Sequence, residues 1–243
     1  MQRSVNFLMS GPAHLPYLVV ALSTLRKHYS GDIVVNAYPE SFPTVERIVV
    51  DDRICATAKL WEPVYTGKNG QFINKIVMMQ RIEADVGLYL DADTIISDSL
   101  DTLFNLAEMY TFVATQFCDW VSNKGVVRNR VRRLMGRKGI DQTAVDRVLS
   151  ESFPSVNGGV FGCLPSSSVL CMWYEWTMLV RDLFIADETV LHAVMGRYDE
   201  SFDRCYGSDK FDNFRELFVA LGGKWNCSPK HQPKDLKDED VIV

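Results

Sequence analysis

Two acids one residue apart, Asp91 and Asp93, close an apolar stretch in the segment GLYLDADTII, residues 87–96. Carboxylates this close repel, and without a positive partner one of them tends to hold a proton. A hard divalent cation, Mg²⁺ or Mn²⁺, removes the conflict. Such ions take oxygen ligands and commonly share their coordination with a substrate phosphate. The competing reading is local: Asp93 caps a turn and Asp91 is merely solvated. The preceding run, Val86–Leu90, favours the metal. A run apolar on both faces suits a central parallel strand covered on both sides, and ligands of open α/β sheets bind beyond the carboxyl ends of such strands.

Composition narrows the classes that could use this chemistry. The 243 residues are 47% hydrophobic and 23% charged, which fits a soluble globular domain. With 26 Lys and Arg against 31 Asp and Glu, the net charge of −5 argues against nucleic acid held by a basic field. Apolar runs such as Tyr17–Leu22 fall far short of the roughly 20 residues that span a bilayer. Val5–Met9 is too short for a signal-peptide core. The six cysteines, 55, 118, 163, 171, 205 and 227, never form Cys-x-x-Cys, so zinc clusters and disulfide scaffolds are not expected. Free thiols and a cytoplasmic location follow as expectations.

The elements that must position the acids alternate in type. Val5–Met9 reads as a first strand, ended by Ser10-Gly11-Pro12. Leu15–His28 has helical spacing, Ile33–Ala37 is a second strand, and Val45–Val50 fits either element. A helix over 72–83 precedes the Val86–Leu90 strand, and Ser97 or Asp98 is expected to cap the next helix, with Leu100, Leu103, Phe104 and Ala107 as its buried stripe. Later strands are expected at 113–116 and 159–163, and helices at 187–197 and 212–221. This alternation predicts a right-handed α/β arrangement, a mostly parallel sheet flanked by helices in a single domain. The tail 228–240 is polar, and the apolar ending Val241-Ile242-Val243 suggests a chain cut from a longer parent.

GLYLDADTII fits two families. It resembles the nucleophilic motif of haloacid-dehalogenase-type phosphatases, in which Asp91 would attack phosphorus and Asp93 act as acid/base, with the 208–212 segment SDKFD as a distal acidic motif. That family carries its motif on the first strand. The segment also resembles the Asp-x-Asp motif of metal-dependent glycosyltransferases of the GT-A (Rossmann-like) fold, which lies several strands in, and position favours these. Over nearly the whole chain the sequence is similar to glycosyltransferase family 8, the retaining enzymes that include glycogenin and bacterial galactosyltransferases.

In that resemblance FLMSGPAHLPYLVVALSTLRKH is the opening strand, nucleotide loop and helix. Leu8, Ser10 and Gly11 would line the nucleoside, and His14 stands where the family usually has a stacking Tyr. NKIVMMQRIEADVGLYLDADTIISDSLDTLF follows the family without a gap. It assigns Lys75 to the diphosphate and places Ala92 among the donor contacts. VNGGVFG puts Asn157, Gly158 and Gly159 beside the donor sugar, and Asp187-Glu188 resembles the Asp-Gln pair that touches sugar hydroxyls. The resemblance implies a Mn²⁺ or Mg²⁺ ion on Asp91 and Asp93, and catalytic parts for Lys75 and Asp187. It implies a nucleotide-diphosphate sugar as donor, uridine by family habit, and a glycan, lipid or protein acceptor. Residues 1–100 would bind the nucleotide and 101–243 the sugar and acceptor.

The chain departs from the family pattern in three places. The family's third metal ligand is a histidine after an apolar strand near the C-terminus, whereas His231 precedes Val241-Ile242-Val243; either His231 substitutes as the third ligand or that ligand lies past Val243. No basic residue precedes the Lys75 helix in the family's position, and Lys68 is the substitute at hand. The segment 124–138 holds Arg128, Arg130, Arg132, Arg133, Arg137 and two lysines, either a solvated helix face or a platform for an anionic acceptor. Trp120 is a candidate for stacking on sugars, while Trp173 and Trp176 are expected in the core. A non-catalytic nucleotide-sugar-binding module is a third functional reading.

Overall fold

The computed structural model describes residues 1–116, 120–150, 156–197, 211–214 and 218–221; the last two stretches and residues 116, 120–124 and 126 are described by backbone alone. In chain order the elements are β1 (Arg3–Met9), α1 (Leu15–His28), β2 (Asp32–Ala37), α2 (Phe42–Val49), β3 (Thr57–Leu60), α3 (Gly70–Gln80) and β4 (Val86–Leu90). There follow α4 (Asp101–Tyr110), β5 (Phe112–Gln116), α5 (Trp120–Val131), α6 (Gln142–Ser150), β6 (Val156–Cys163), α7 (Ser168–Leu179), α8 (Ala186–Arg197), β7 (Phe211–Phe214) and β8 (Phe218–Leu221). The strands form one sheet in the order β3-β2-β1-β4-β6-β5-β8-β7.

Side chains of successive strand residues leave opposite faces of a sheet, and here each face meets its own core. Val5, Phe7 and Met9 of β1 and Val86, Leu88 and Leu90 of β4 pack with Leu18 and Leu22 of α1 and Leu103 and Phe104 of α4. On the other face, Leu8 and Tyr89 join Ile76 and Met79 of α3, Trp173 and Trp176 of α7, and Val190, Leu191 and Val194 of α8. The double coverage explains why Val86–Leu90 is apolar without alternation. Trp173 and Trp176 are core residues, as expected.

The sheet is mostly parallel, with four parallel pairings against three antiparallel ones. β4 is central, but only its β1 side is parallel; β6 runs antiparallel on the other side. The architecture is a single mixed α/β domain consistent with a GT-A-like fold. The expected helix at 212–221 is instead strands β7 and β8, paired antiparallel, with β8 added parallel to β5. Phe-rich, Val-containing ends take the strand that an open sheet edge offers, and pairing overrides local helix spacing. The ambiguous 45–50 stretch is helical, with Val45 and Val49 buried one turn apart. The helix after the acids starts at Asp101, later than Ser97 or Asp98 would cap it. The Ser99 hydroxyl accepts the Asp101 N–H there at 3.1 Å. Short β3, half-exposed on an edge, has no apolar run to announce it.

Among the described residues Cys55, Cys163 and Cys171 are free thiols, and no helix is long and apolar enough to cross a membrane.

Candidate functional site

After β1 the chain builds β2 and β3 to one side and then returns to lay β4 on the other side of β1. The crevice between the carboxyl ends of β1 and β4 is therefore a topological switch point, the place where open α/β sheets bind ligands. Asp91, Ala92 and Asp93 leave the end of β4, and Ser10, Gly11 and the Pro12–His14 turn leave the end of β1. The β1–β4 register is recorded as far as Asn6 with Tyr89, two residues before Leu8 and Asp91 in their chains. Leu8 itself is buried; Ser10, Gly11 and Ala92 are half-buried; His14 is exposed, its ring 6.2 Å from that of Tyr17.

Antiparallel β6 brings its first residues to the same end of the sheet. The Asp91 N–H donates to the Gly159 carbonyl at 2.8 Å, and the Gly159 N–H donates to Asn157 Oδ1 at 2.5 Å. A Cβ on Gly159 would collide with Asp91 Oδ2, and one on Gly158 would sit 3.0 Å from Lys75 Nζ and 3.3 Å from Asp187 Oδ2. At Gly159 a side chain would require Asp91 to shift; at Gly158 the ammonium and carboxylate would have to give by a few tenths of an ångström.

Lys75 projects from α3 into this cluster and is 4% exposed. Its ammonium lies 2.7 Å from Asp187 Oδ2 and donates to the Gly158 carbonyl at 2.8 Å. The rings of Phe72 and Tyr89 lie 5.6 Å from the ammonium and that of Trp173 5.9 Å away, all within cation–π range. Burial by itself pushes the ammonium down, but Asp187 and Asp91 outweigh it and hold Lys75 above its ordinary value. Trp173 Nε1 donates to the Asp187 carbonyl at 2.7 Å and fixes the start of α8. Asp187 Oδ1 is buried and has no hydrogen-bond partner among the described residues, a costly state for a carboxylate oxygen unless a ligand supplies a donor.

Burial likewise raises Asp91. Lys75 and the Tyr89 hydroxyl, which donates to Asp91 Oδ1 at 2.8 Å, oppose that shift, and Asp93 and Asp187 add to it. Asp93 is exposed. Glu188 turns the other way and pairs with Arg130 of α5. Burial, then the neighbouring Asp187, pushes Glu188 up to about 7, against the pull of Arg130 and Lys75. Behind it His192 is fully buried, with Nδ1 donating to the Glu188 carbonyl at 2.6 Å and Nε2 accepting the Val156 N–H at 3.0 Å. Burial pushes that imidazole down to about 3, so it stays neutral.

The structure thus gathers Lys75, Asp91, Asn157, Gly158, Gly159, Asp187 and Glu188 around one end of the sheet. Ser10, Gly11 and His14 stand at the neighbouring strand end. His231 lies outside the described residues, as do the side chain of Trp120 and residues 208–210. Lys68 is exposed in the loop before α3.

The donor chemistry fits a hard divalent ion. Asp91 and Asp93 offer oxygen ligands, and among the described residues neither makes an ion pair, whereas Asp187 and Glu188 each have one. Among the described residues, however, no group of three or more His, Cys, Asp or Glu is arranged to hold a metal. An ion held by Asp91 and Asp93 would have to complete its shell from outside these side chains.

Tyr89, Arg130, Asn74 and His192 carry parts of the site and were not among the expected site residues. Tyr89 is two residues before Asp91 on a strand, hence on its face, and that signal was available. Asn74 precedes Lys75 and holds the 64–65 loop: its Oδ1 accepts the Val64 N–H at 2.8 Å, and its Nδ2 donates to the Tyr65 carbonyl at 2.7 Å.

No protein-family model matches the chain, and no curated protein matches it. Solved structures of similar fold are found, and one of them covers nearly the whole chain. In fold, the chain is similar to the glycosyltransferase GlyE of Streptococcus pneumoniae TIGR4. The match has a TM-score of 0.53 at 16% identity, over 93% of this chain and 46% of that one. The chain therefore spans about half the length of GlyE, and identity this low shows the fold alone.

Proposed function

We propose that the protein is a metal-dependent glycosyltransferase of the family 8 type, moving a sugar from a nucleotide diphosphate to an acceptor with retention of anomeric configuration. One observation carries the reading: a carboxylate at the end of the central strand, Asp91, shares a buried cluster with an ammonium, Lys75, that is itself anchored on Asp187 and the Gly158 carbonyl. Asp91 and Asp93 would hold Mn²⁺ or Mg²⁺, whose Lewis acidity offsets charge developing on the leaving diphosphate. Lys75 adds a fixed positive charge at the same place, already oriented and largely dry, and so costs no reorganisation during reaction. Asp187 Oδ1, without a hydrogen-bond partner among the described residues, accepts a donor-sugar hydroxyl. Asn157, with the backbone of Gly158 and Gly159, lines the sugar; Ser10 and Gly11 line the nucleoside, and the exposed His14 ring stacks on the base. The fold shared with GlyE supports glycosyl transfer in general terms.

A screen of nucleotide-sugars with Mn²⁺, following nucleotide release, tests this reading. Release that requires both a metal and one class of sugar is expected. Hydrolysis of simple phosphate esters with a covalent phosphate on Asp91 would instead make the protein a phosphatase. Tight nucleotide binding with no turnover of any donor would make it a binding module.

A further inference from the structure

Residues 124–140 carry seven cations and no acid, in a chain of net charge −5. Arg130 is taken up by Glu188. Arg132, Arg133 and Lys138 are exposed, and neither Arg133 nor Lys138 has an ion-pair partner among the described residues. On the same stretch and its neighbour stand Met135, Leu179 and Phe184, which are 55%, 49% and 63% exposed.

Two contacts join the stretches into one surface. A Cβ on Gly139 would lie 2.8 Å from Leu179 Cδ1, and Arg137 reaches Asp182 at 3.3 Å. The acids closest in sequence are already engaged, Asp182 by Arg137 and Asp141 by Arg197. Single exposed apolar side chains are ordinary on a protein surface. Three of them beside cations that have no ion-pair partner among the described residues form the combination of interfacial membrane-binding segments, with basic groups for the headgroups and apolar ones for the acyl boundary.

We propose that this surface docks on an anionic lipid bilayer. Arg132, Arg133 and Lys138 would meet headgroup phosphates, and Met135, Leu179 and Phe184 would sit at the acyl boundary. A soluble anion would engage the cations and leave the apolar side chains uncovered, whereas a bilayer covers both. The surface is tied to the site at three points. Residues 179–185 lead straight into Asp187, Asn69 at the start of α3 donates to the Leu183 carbonyl at 3.1 Å, and Arg130 pairs with Glu188. Docking therefore engages the segment that leads into Asp187 and the helix that carries Arg130. That an acceptor is presented there rests on the transferase reading; the docking does not.

The test is co-sedimentation of the full chain with phosphatidylcholine vesicles, with and without phosphatidylglycerol, in the absence of donor and metal. Binding is expected only with phosphatidylglycerol and is expected to weaken as salt rises. The triple variant Arg132→Ala, Arg133→Ala, Lys138→Ala should lose roughly a hundredfold in vesicle affinity. Met135→Ser, Leu179→Ser and Phe184→Ser together leave the charge unchanged and should also weaken binding. Equal binding to neutral vesicles, or an apolar triple variant that binds like the parent, overturns the proposal. So does complete displacement by millimolar inorganic phosphate, which would mark a site for a free anion. No vesicle binding together with a dimer abolished by the apolar variant would assign the surface to self-association. Because neither donor nor metal is present, none of these failures touches the transferase reading.

Discussion

Asp91–Asp93 and Asp187–Glu188 are both pairs of neighbouring acids at the same end of the sheet, and the protein treats them differently. Each acid of the second pair has its own cation. Lys75 lies 2.7 Å from Asp187, Arg130 pairs with Glu188, and the Trp173 indole and His192 imidazole hold the backbone between them. The first pair has a tyrosine hydroxyl on one carboxylate and solvent around the other. Charge is settled internally in one pair and left open in the other. A buried pair with its own counter-ions is architecture as well as chemistry, while a pair left short of positive charge is the one that, in the proposed function, a cation from outside would complete.

Removing a counter-ion from the settled pair should do the most damage. Lys75→Ala leaves Asp187 buried and unpaired, and breaking a buried pair from one side costs about 3–5 kcal/mol. Denaturant unfolding should show that loss. Replacing both partners, Lys75→Met with Asp187→Leu, should recover most of the stability and none of the turnover. A single Lys75→Ala variant as stable as the parent would show that the pair is not settled at all.

The open pair should behave oppositely. Asp91→Asn removes a charge that burial already disfavours, and Tyr89 can still donate to the amide oxygen. Stability should hold or rise. Metal-dependent donor turnover should fall roughly a thousandfold, the size expected when several kcal/mol of Lewis-acid stabilisation is lost. Parent-like turnover by this variant would remove Asp91 from the metal.

How much of this contrast could be read in advance depends on the reach of the interaction. The two strand ends and Asp91 with Asp93 were legible because an apolar run and the acids that stop it are neighbours in sequence. α1 was legible to the residue because its apolar spacing, an interaction within one helix, carries the signal. Lys75 and Asp187 were named through resemblance, but their pairing was not, since it depends on how α3 meets α8 across β6. Arg130 lay within a basic run, and nothing local distinguished it from Arg132 or Arg133. Strands β7 and β8 were misread as helix because what makes them strands is the free edge of β5, a hundred residues away. The antiparallel course of β6 was hidden for a similar reason: an apolar run does not encode its own direction.

Arg130→Ala sharpens the comparison within the settled pair. Arg130 and Glu188 keep side-chain exposures of 21% and 15%, so water can partly replace the lost partner. The stability loss should be about 2 kcal/mol, the scale of a hydrogen bond to a charged group. It should also shrink on acidification, because Glu188 can then take up a proton instead of standing unpaired. A loss that is the same at pH 6 and pH 8 would mean that Glu188 is not the group Arg130 serves.

The smallest effect is a slope that should nearly vanish. Glu188 is raised from 4.5 to about 7 in the folded chain. Between those values the folded state holds a proton that the unfolded state has released, so its contribution is full below pH 4.5 and is lost as pH rises towards 7. His192 is lowered from 6.5 to about 3. Between those values the unfolded state holds the proton, so its contribution is full above pH 6.5 and is lost as pH falls towards 3. From pH 6.5 to 4.5 the two slopes have opposite signs and similar size, and metal-free stability should change little. Asp91, also raised, adds to the Glu188 sign. Below pH 4.5 His192 acts without that opposition and stability should fall. In His192→Gln the opposing slope is gone, so acidification from pH 6.5 to 4.5 should stabilise the variant. Denaturant midpoints measured across this range in chelator would show the reversal, and a variant that tracks the parent throughout would mean that His192 is not buried in its neutral form behind Glu188.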